Sequence, residues 1–382
     1  MKKNLPLSYT ELSKRNLIHN IKQFKNLAKK GTQFSVAIKG NAYGHGQNEV
    51  AQILEPYVDY FQVDSFEELR LLRKVSKKKV LVLGYIQKLN LLEAVKLSCI
   101  LTVFSIQQIK HISAMADILK IKQEIHLPVD AYLGREGFLL DELPKVFGEI
   151  KKCKFIKLTG IYAHFANIED TSNFTHAQKQ IKEYQKALKL AEKFNFKNLQ
   201  THISATSGLL AYETGKGIHP IIRLGIGVYG MWPSENLKLL YKNKINLKPV
   251  FTWKTKIAQI KIMPSGRTIG YGLTYKTKKE TKIAIIPQGY ADGFDRGFSN
   301  NGVVLIKGTR CKILGRVSMN MFTVDVSHLK GVRMEDEVVL LGKQGKSEIT
   351  AEEMAKRINT INYEMTTRIS ALLPRIIVNY ET

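Results

Sequence analysis

Cysteine is scarce, and the little there is lies scattered. Cys99, Cys153 and Cys311 are the only three in 382 residues, and no CxxC spacing joins any of them. That excludes a cysteine-rich zinc site and argues against a disulfide scaffold. No metal is expected. Long apolar runs are missing as well: residues 97–106 form one of the longest, well short of the roughly 18 residues of a membrane span. The start, MKKNLPLSY, is basic but has no apolar segment behind it, so no signal peptide is expected and a cytoplasmic location is. Acidic residues are outnumbered, 33 against 59 basic ones, for a net charge of +26. Such an excess can steer an anionic substrate or mark a nucleic-acid footprint. No RNP-type aromatic strand, zinc finger or long basic helix accompanies it, and the plainer reading is a lysine-rich solvated surface. Neither a nucleic-acid partner nor a membrane is expected.

What is present is enough apolar material, 44% of the chain, to bury a core. Over the first 230 residues, short β-rich runs alternate with amphipathic stretches. Strands are predicted at residues 34–39, 60–64, 80–85, 100–104, 124–130, 156–164, 199–204 and 221–229, with helices most clearly at 66–75, 105–119 and 174–194. In the last of these, Phe174, Ala177, Ile181, Tyr184, Leu188, Ala191 and Phe194 form an apolar stripe. Eight strands alternating with helices imply an α/β fold with an N-terminal (β/α)8 TIM-type barrel, assigned to residues 1–240. Beyond it, runs at 251–263, 282–287, 303–307, 311–317, 321–326 and 337–342, with one helix at 350–358, indicate a smaller, mostly β C-terminal domain over 241–382.

In such a barrel the reacting groups stand where the strands end. The first strand runs into Lys39, within Ala37-Ile38-Lys39-Gly40-Asn41-Ala42-Tyr43-Gly44-His45-Gly46. A lysine leaving an apolar strand is expected to lose hydration, which favours the neutral amine that condenses with an aldehyde. The fifth strand leads to Arg135, the sixth to His164, the seventh to Thr206, and the eighth carries Arg223-Leu224-Gly225-Ile226. Each has a plain alternative: a solvated lysine, a core histidine, a helix N-cap at Thr206, an ion pair at Arg223. Together, an amine, hydroxyl and glycine-opened backbone for a phosphate, and an arginine for a ring nitrogen are what pyridoxal 5'-phosphate requires.

These segments resemble the alanine racemase family. The resemblance extends to Tyr229-Gly230, Gly270-Tyr271-Gly272, Gly289-Tyr290-Ala291-Asp292-Gly293, Gly315-Arg316-Val317-Ser318-Met319-Asn320 and Asn362-Tyr363-Glu364, in order and over nearly the whole chain. It implies a pyridoxal-phosphate-dependent racemase interconverting L- and D-alanine by two bases and supplying D-alanine for peptidoglycan. Lys39 would hold the cofactor and exchange the α-proton on one face. Tyr271, contributed by the other subunit of a head-to-tail homodimer, would serve the other face. His164 would link Tyr271 to Arg223, and Arg223 would bond the pyridine nitrogen. Tyr43, Thr206, Gly225, Ile226 and Tyr363 would hold the phosphate. Arg135 and the Met319 backbone would take the substrate carboxylate, with Tyr290 at the entrance.

The chain departs from the family pattern at four places. Pro128 stands where many members carry a carbamylated lysine that orients the arginine, leaving that charge to a bound chloride or to Glu136. Ala131-Tyr132 replaces Thr-Gly, Ala205-Thr206 replaces Asn-Ser, and Asn320 replaces an aspartate. The rival readings are a racemase of other or more amino acids, raised by Tyr132, a barrel decarboxylase or aldolase, and a cofactor-binding homologue with impaired turnover.

Overall fold

The protein is described here by a computed structural model covering residues 5–380; the basic Met1–Asn4 start lies outside the described residues. Two compact units emerge. One comprises Ile18–Gly40 and Val50–Leu247, the other Met1–Leu17, Asn41–Glu49 and Lys248–Thr382. Against the linear division into residues 1–240 and 241–382, two early segments belong with the C-terminal unit.

The first unit contains eight parallel strands, Gln33–Ala37, Tyr60–Val63, Lys79–Val82, Ile100–Thr102, Gln123–Pro128, Ile156–Tyr162, Gln200–His202 and Ile221–Leu224. Each pairs with its sequence neighbour, and the last returns to the first, Ser35 opposite Arg223. Between the seventh and eighth, Arg223 N–H donates to Ser204 O at 3.0 Å and closes the ring. Tyr60, Leu81, Ile100 and Ile221 bring four strands into one buried cluster. Parallel strands covered on both faces read as apolar runs, which is why most of the eight are visible in the sequence; Gln200–His202, QTH, is polar within the strand and is marked instead by the apolar residues Leu199 and Ile203 beside it. The eighth is shorter than expected: it stops at Leu224, and Ile226–Tyr229 forms a 3-10 turn. The helix Thr175–Lys193 also differs. Its buried residues are Ala177, Gln180, Tyr184, Ala187 and Ala191, so Ile181 and Leu188 sit beside the core stripe rather than in it.

The second unit is built on a mostly antiparallel sheet in which Tyr9–Ser13 lies between Phe251–Lys256 and Arg375–Val378. The expected strand at 251–263 is two, Phe251–Lys256 and Gln259–Met263, and a second helix, Asn362–Thr367, follows Ala351–Arg357. Phe294 anchors the core, stacked on Phe322 with ring centroids 4.5 Å apart and flanked by Trp253 and Phe298.

Candidate active site

In the barrel unit, Lys39 follows two buried residues, Ala37 and Ile38, at the end of the first strand. Its Nζ pairs with Asp64 Oδ1 at 2.9 Å, and its side chain is 40% exposed. This corrects the expectation of a dehydrated amine: the lysine is reachable by water and faces a carboxylate. Glu68 organises the pair. Its two carboxylate oxygens accept from Gly40 N–H (2.6 Å) and Asp64 N–H (2.7 Å). Ser65 caps the helix Phe66–Arg73 by accepting from Glu68 N–H, so Ser65 and Glu68 form a variant of the capping box that reaches past the cap to the lysine turn.

Beyond Lys39, four residues in succession, Gly40, Asn41, Ala42 and Tyr43, have φ between +52° and +59°. Left-handed backbone costs roughly 1–2 kcal/mol for each residue with a side chain, so the surroundings must impose it. Within the second unit, buried His45 does part of this: Nδ1 lies 3.0 Å from both Ala42 O and Tyr43 O. Two carbonyl partners make Nδ1 the protonated nitrogen, and burial holds the ring neutral by lowering its pKa to about 3. Gly44 completes the turn at φ +85°, where a Cβ would stand 1.9 Å from Thr366 O. Gly44→Ala is therefore expected to destabilise the protein by at least about 3 kcal/mol. Urea unfolding checks this beside Gly31→Ala, whose site has similar φ but open space and exposes only the backbone strain.

Arg223 is buried and gathers the sixth, seventh and eighth strand ends. Its Nη2 donates to Ala163 O (2.5 Å), Ile203 O (3.2 Å) and His164 Nδ1 (3.3 Å). The guanidinium lies over the Tyr162 ring at 4.8 Å. No carboxylate takes part in these contacts, so the plain ion-pair alternative is set aside. Arg223 Nε is buried without a hydrogen-bond partner, a donor left for a ligand. Burial, with the charges of Arg223, Arg135 and Lys39, lowers the His164 pKa to about 3. His164 is thus neutral at physiological pH, accepts from Arg223 at Nδ1, and keeps Nε2–H as a donor. Gln180 fixes this corner by donating to His164 O (3.0 Å) and Ala131 O (2.8 Å) and accepting from Ala166 N–H (2.9 Å). That explains a glutamine in the buried stripe.

Thr206 is the first residue of a helical turn, not its N-cap; the cap position is Ala205. Thr206 Oγ1 accepts from Gly225 N–H and Gly227 N–H, both at 3.3 Å, which leaves its hydroxyl hydrogen to donate to an anion. At Gly227 a Cβ would come within 2.4 Å of Phe24 and 2.6 Å of Thr206. Ile226 opens the 3-10 turn between these glycines. Arg135 lies in the loop after the fifth strand, paired with Glu136. Tyr132, in the same loop, turns its ring under Lys179 Nζ at 3.9 Å.

The second unit holds the remaining candidates. Tyr43 and Tyr363 face each other with ring centroids 6.0 Å apart. Tyr290 and Met319 are joined through backbone: Tyr290 N–H donates to Ser318 O (3.1 Å) and Ala291 N–H to Met319 O (3.0 Å). Tyr271 lies in no strand. It stands 75% exposed on a turn between Gly270 (φ +76°) and Gly272 (φ +69°). The sequence reading missed Asp64, Glu68 and Gln180. An acid directly after an apolar strand, followed by Ser-x-x-Glu, was the available signal for the first two.

Buried His45, His126 and His164, each lowered to about 3 chiefly by burial, predict acid lability. The unfolded chain protonates these rings near pH 6.5 and the folded one does not, so each contribution is full above about pH 6.5 and is lost as pH falls towards 3. Each adds a slope of up to about 1.4 kcal/mol per pH unit in that window. Denaturant unfolding between pH 7 and 4 checks this, and His126→Gln should flatten the curve.

Residues 12–233 match the family profile described as alanine racemase, N-terminal domain, and residues 250–377 that described as alanine racemase, C-terminal domain. The chain is 35% identical over 382 residues to an alanine racemase of Leptospira interrogans, covering 97% of this chain and 96% of that one. It is 36% identical over 372 residues to alanine racemase 2 of Caldanaerobacter subterraneus, covering 96% and 94%. Among solved structures, an alanine racemase of Clostridium difficile is similar with a TM-score of 0.91 at 30% identity, covering 100% and 98%. The alanine racemase of Bacillus anthracis with bound L-Ala-P gives 0.91 at 28%, covering 99% and 96%.

Proposed function

The chain belongs to the alanine racemase family and is an enzyme of the isomerase class, and from that premise we propose that it interconverts L- and D-alanine with pyridoxal 5'-phosphate, supplying D-alanine for peptidoglycan. The observation that carries this reading is the barrel end where Lys39, the His164–Arg223 pair and the Thr206–Gly225 contact occur on successive strand ends. These residues suit the cofactor. Lys39 offers an amine, buried Arg223 Nε an unused donor, and Thr206 a hydroxyl hydrogen beside glycine backbone. Gly225, Ile226, Tyr43 and Tyr363 complete the assignment for the phosphate.

Pyridoxal phosphate, when bound, supplies the electron sink that acidifies the α-carbon of the amino acid. Lys39 Nζ takes or returns the α-proton on one face. Asp64, at 2.9 Å, holds that amine in place. Arg223 offers a permanent cation with one free N–H to a ring nitrogen, which keeps that nitrogen an acceptor. Neutral His164 can donate from Nε2 without adding a charge beside Arg223. Tyr271 of the partner subunit serves the opposite face in a head-to-tail homodimer, a role that fits a tyrosine left 75% exposed on a glycine-flanked turn. Arg135 and the Met319 backbone receive the substrate carboxylate, with Tyr290 at the entrance.

The test is L-alanine incubated in heavy water with cofactor-loaded protein, read for enantiomer and α-deuterium. D-alanine labelled at the α-carbon is the expected product. Unlabelled, unchanged L-alanine beside a turned-over L-serine would move the substrate assignment to serine.

A further inference from the structure

The loop after the fifth barrel strand is closed by its own backbone. Phe138 N–H donates to Pro128 O and Asp130 N–H to Phe138 O, both at 3.0 Å. Asp130 Oδ1 accepts from Leu133 N–H and Gly134 N–H at 2.9 Å. Gly137, at φ +128°, leaves a space that a Cβ would cross to within 2.6 Å of Asp130 N. Arg135 and Glu136 therefore stand on a loop with little freedom of its own, between Gly134 and Gly137.

The Glu136 carboxylate grips one edge of the Arg135 guanidinium. One oxygen accepts from Nε and the other from Nη2, the latter at 2.8 Å. This side-on fork fixes the plane of the guanidinium as well as its position and leaves Nη1 for another partner. The other carboxylates nearby are committed. Asp130 holds the loop backbone, and Asp64 is paired with Lys39 at 2.9 Å. Pro128 carries no charge. Burial alone would push the Glu136 carboxyl up, but hydrogen bonds from Arg135 and the charges of Arg135 and Lys39 outweigh it, so it is held below the usual range and ionised. Without such a partner, Arg135, whose side chain is 60% exposed, would spread over many rotamers and lose that entropy on each binding event.

We propose that Glu136 is the positioning residue of Arg135, occupying its Nε–Nη2 edge so that the Nη1 edge meets the carboxylate of the amino-acid substrate. This rests on the reading of Arg135 as the group that receives that carboxylate. Glu136 takes no part in proton transfer and acts through the arginine alone.

The test uses cofactor-loaded wild type, Glu136→Gln and Glu136→Asp with two readouts. One is KM and kcat for alanine in both directions. The other is the affinity for propionate, which has the substrate's carboxylate and lacks its amine, measured by calorimetry. Glu136→Gln is expected to raise KM and the propionate Kd together by about tenfold or more, with kcat changed far less. Glu136→Asp keeps the charge and should recover part of the affinity, an effect a purely structural role would not produce. A Gln variant that binds propionate and alanine like the wild type overturns the proposal and leaves the guanidinium to a solution anion such as chloride. If the wild type does not racemise alanine yet propionate binding still falls in the Gln variant, the substrate assignment fails and the positioning role stands.

Discussion

A Lys39→Ala protein is expected to lose racemisation by at least about 10⁴-fold, because in the proposed mechanism one side chain supplies both the covalent anchor and one proton-transfer group. The effect on folding should be small by comparison. Lys39 is 40% exposed, and its ion pair with Asp64 is of the surface kind that contributes about 1 kcal/mol or less. The two readouts therefore separate cleanly. Borohydride reduction of the cofactor-loaded wild type should fix a mass increment on the peptide containing Lys39, and the variant should show none while keeping its unfolding midpoint. With 46 lysines in the chain, a fixed increment on a different lysine together with retained turnover would sink the assignment.

Tyr271→Phe carries the second large effect. Removing one hydroxyl from a ring that is 75% exposed on its turn should leave stability nearly unchanged. Racemisation should fall by about 10²–10⁴-fold, the range for a positioned acid or base. The loss has a direction. The face served by Lys39 stays competent, so one enantiomer of alanine should still exchange its α-hydrogen for deuterium without inverting, and the other should not. Equal retention of both exchange and inversion would remove Tyr271 from the mechanism. The direction of the asymmetry also reports which enantiomer presents its hydrogen to Lys39.

The barrel was legible because most of its strands are short apolar runs, separated by helices whose caps, Ser65 and Ser105, are local signals. The strand Tyr9–Ser13 was not. Its sequence, YTELS, shows no alternation, and it is buried only because partners far along the chain cover both edges; Glu11 is tolerated there through Lys254 at 3.1 Å. The same distinction holds in the site. Lys39, His164, Thr206 and Arg223 could be placed from strand ends. The left-handed run after Lys39 and the buried Gln180 amide depend on contacts that no window of neighbouring residues contains. Glu136 was nameable as a compensating anion, but its side-on grip of Arg135 is a matter of geometry. Tyr132, the residue that raised a wider substrate range, has its ring under Lys179, a contact that no sequence window contains.

The pairing of Tyr9–Ser13 with Phe251–Lys256 and Arg375–Val378 has a consequence for the nascent chain. Thr10 leaves the ribosome 364 positions ahead of its hydrogen-bond partner Pro374. At about 5–20 residues per second, that strand waits roughly 20–70 s for its last neighbour. Throughout that interval the edge that Arg375–Val378 comes to cover is open to any other strand, so chaperone dependence and aggregation during expression should respond to changes in these five residues out of proportion to their share of the finished core.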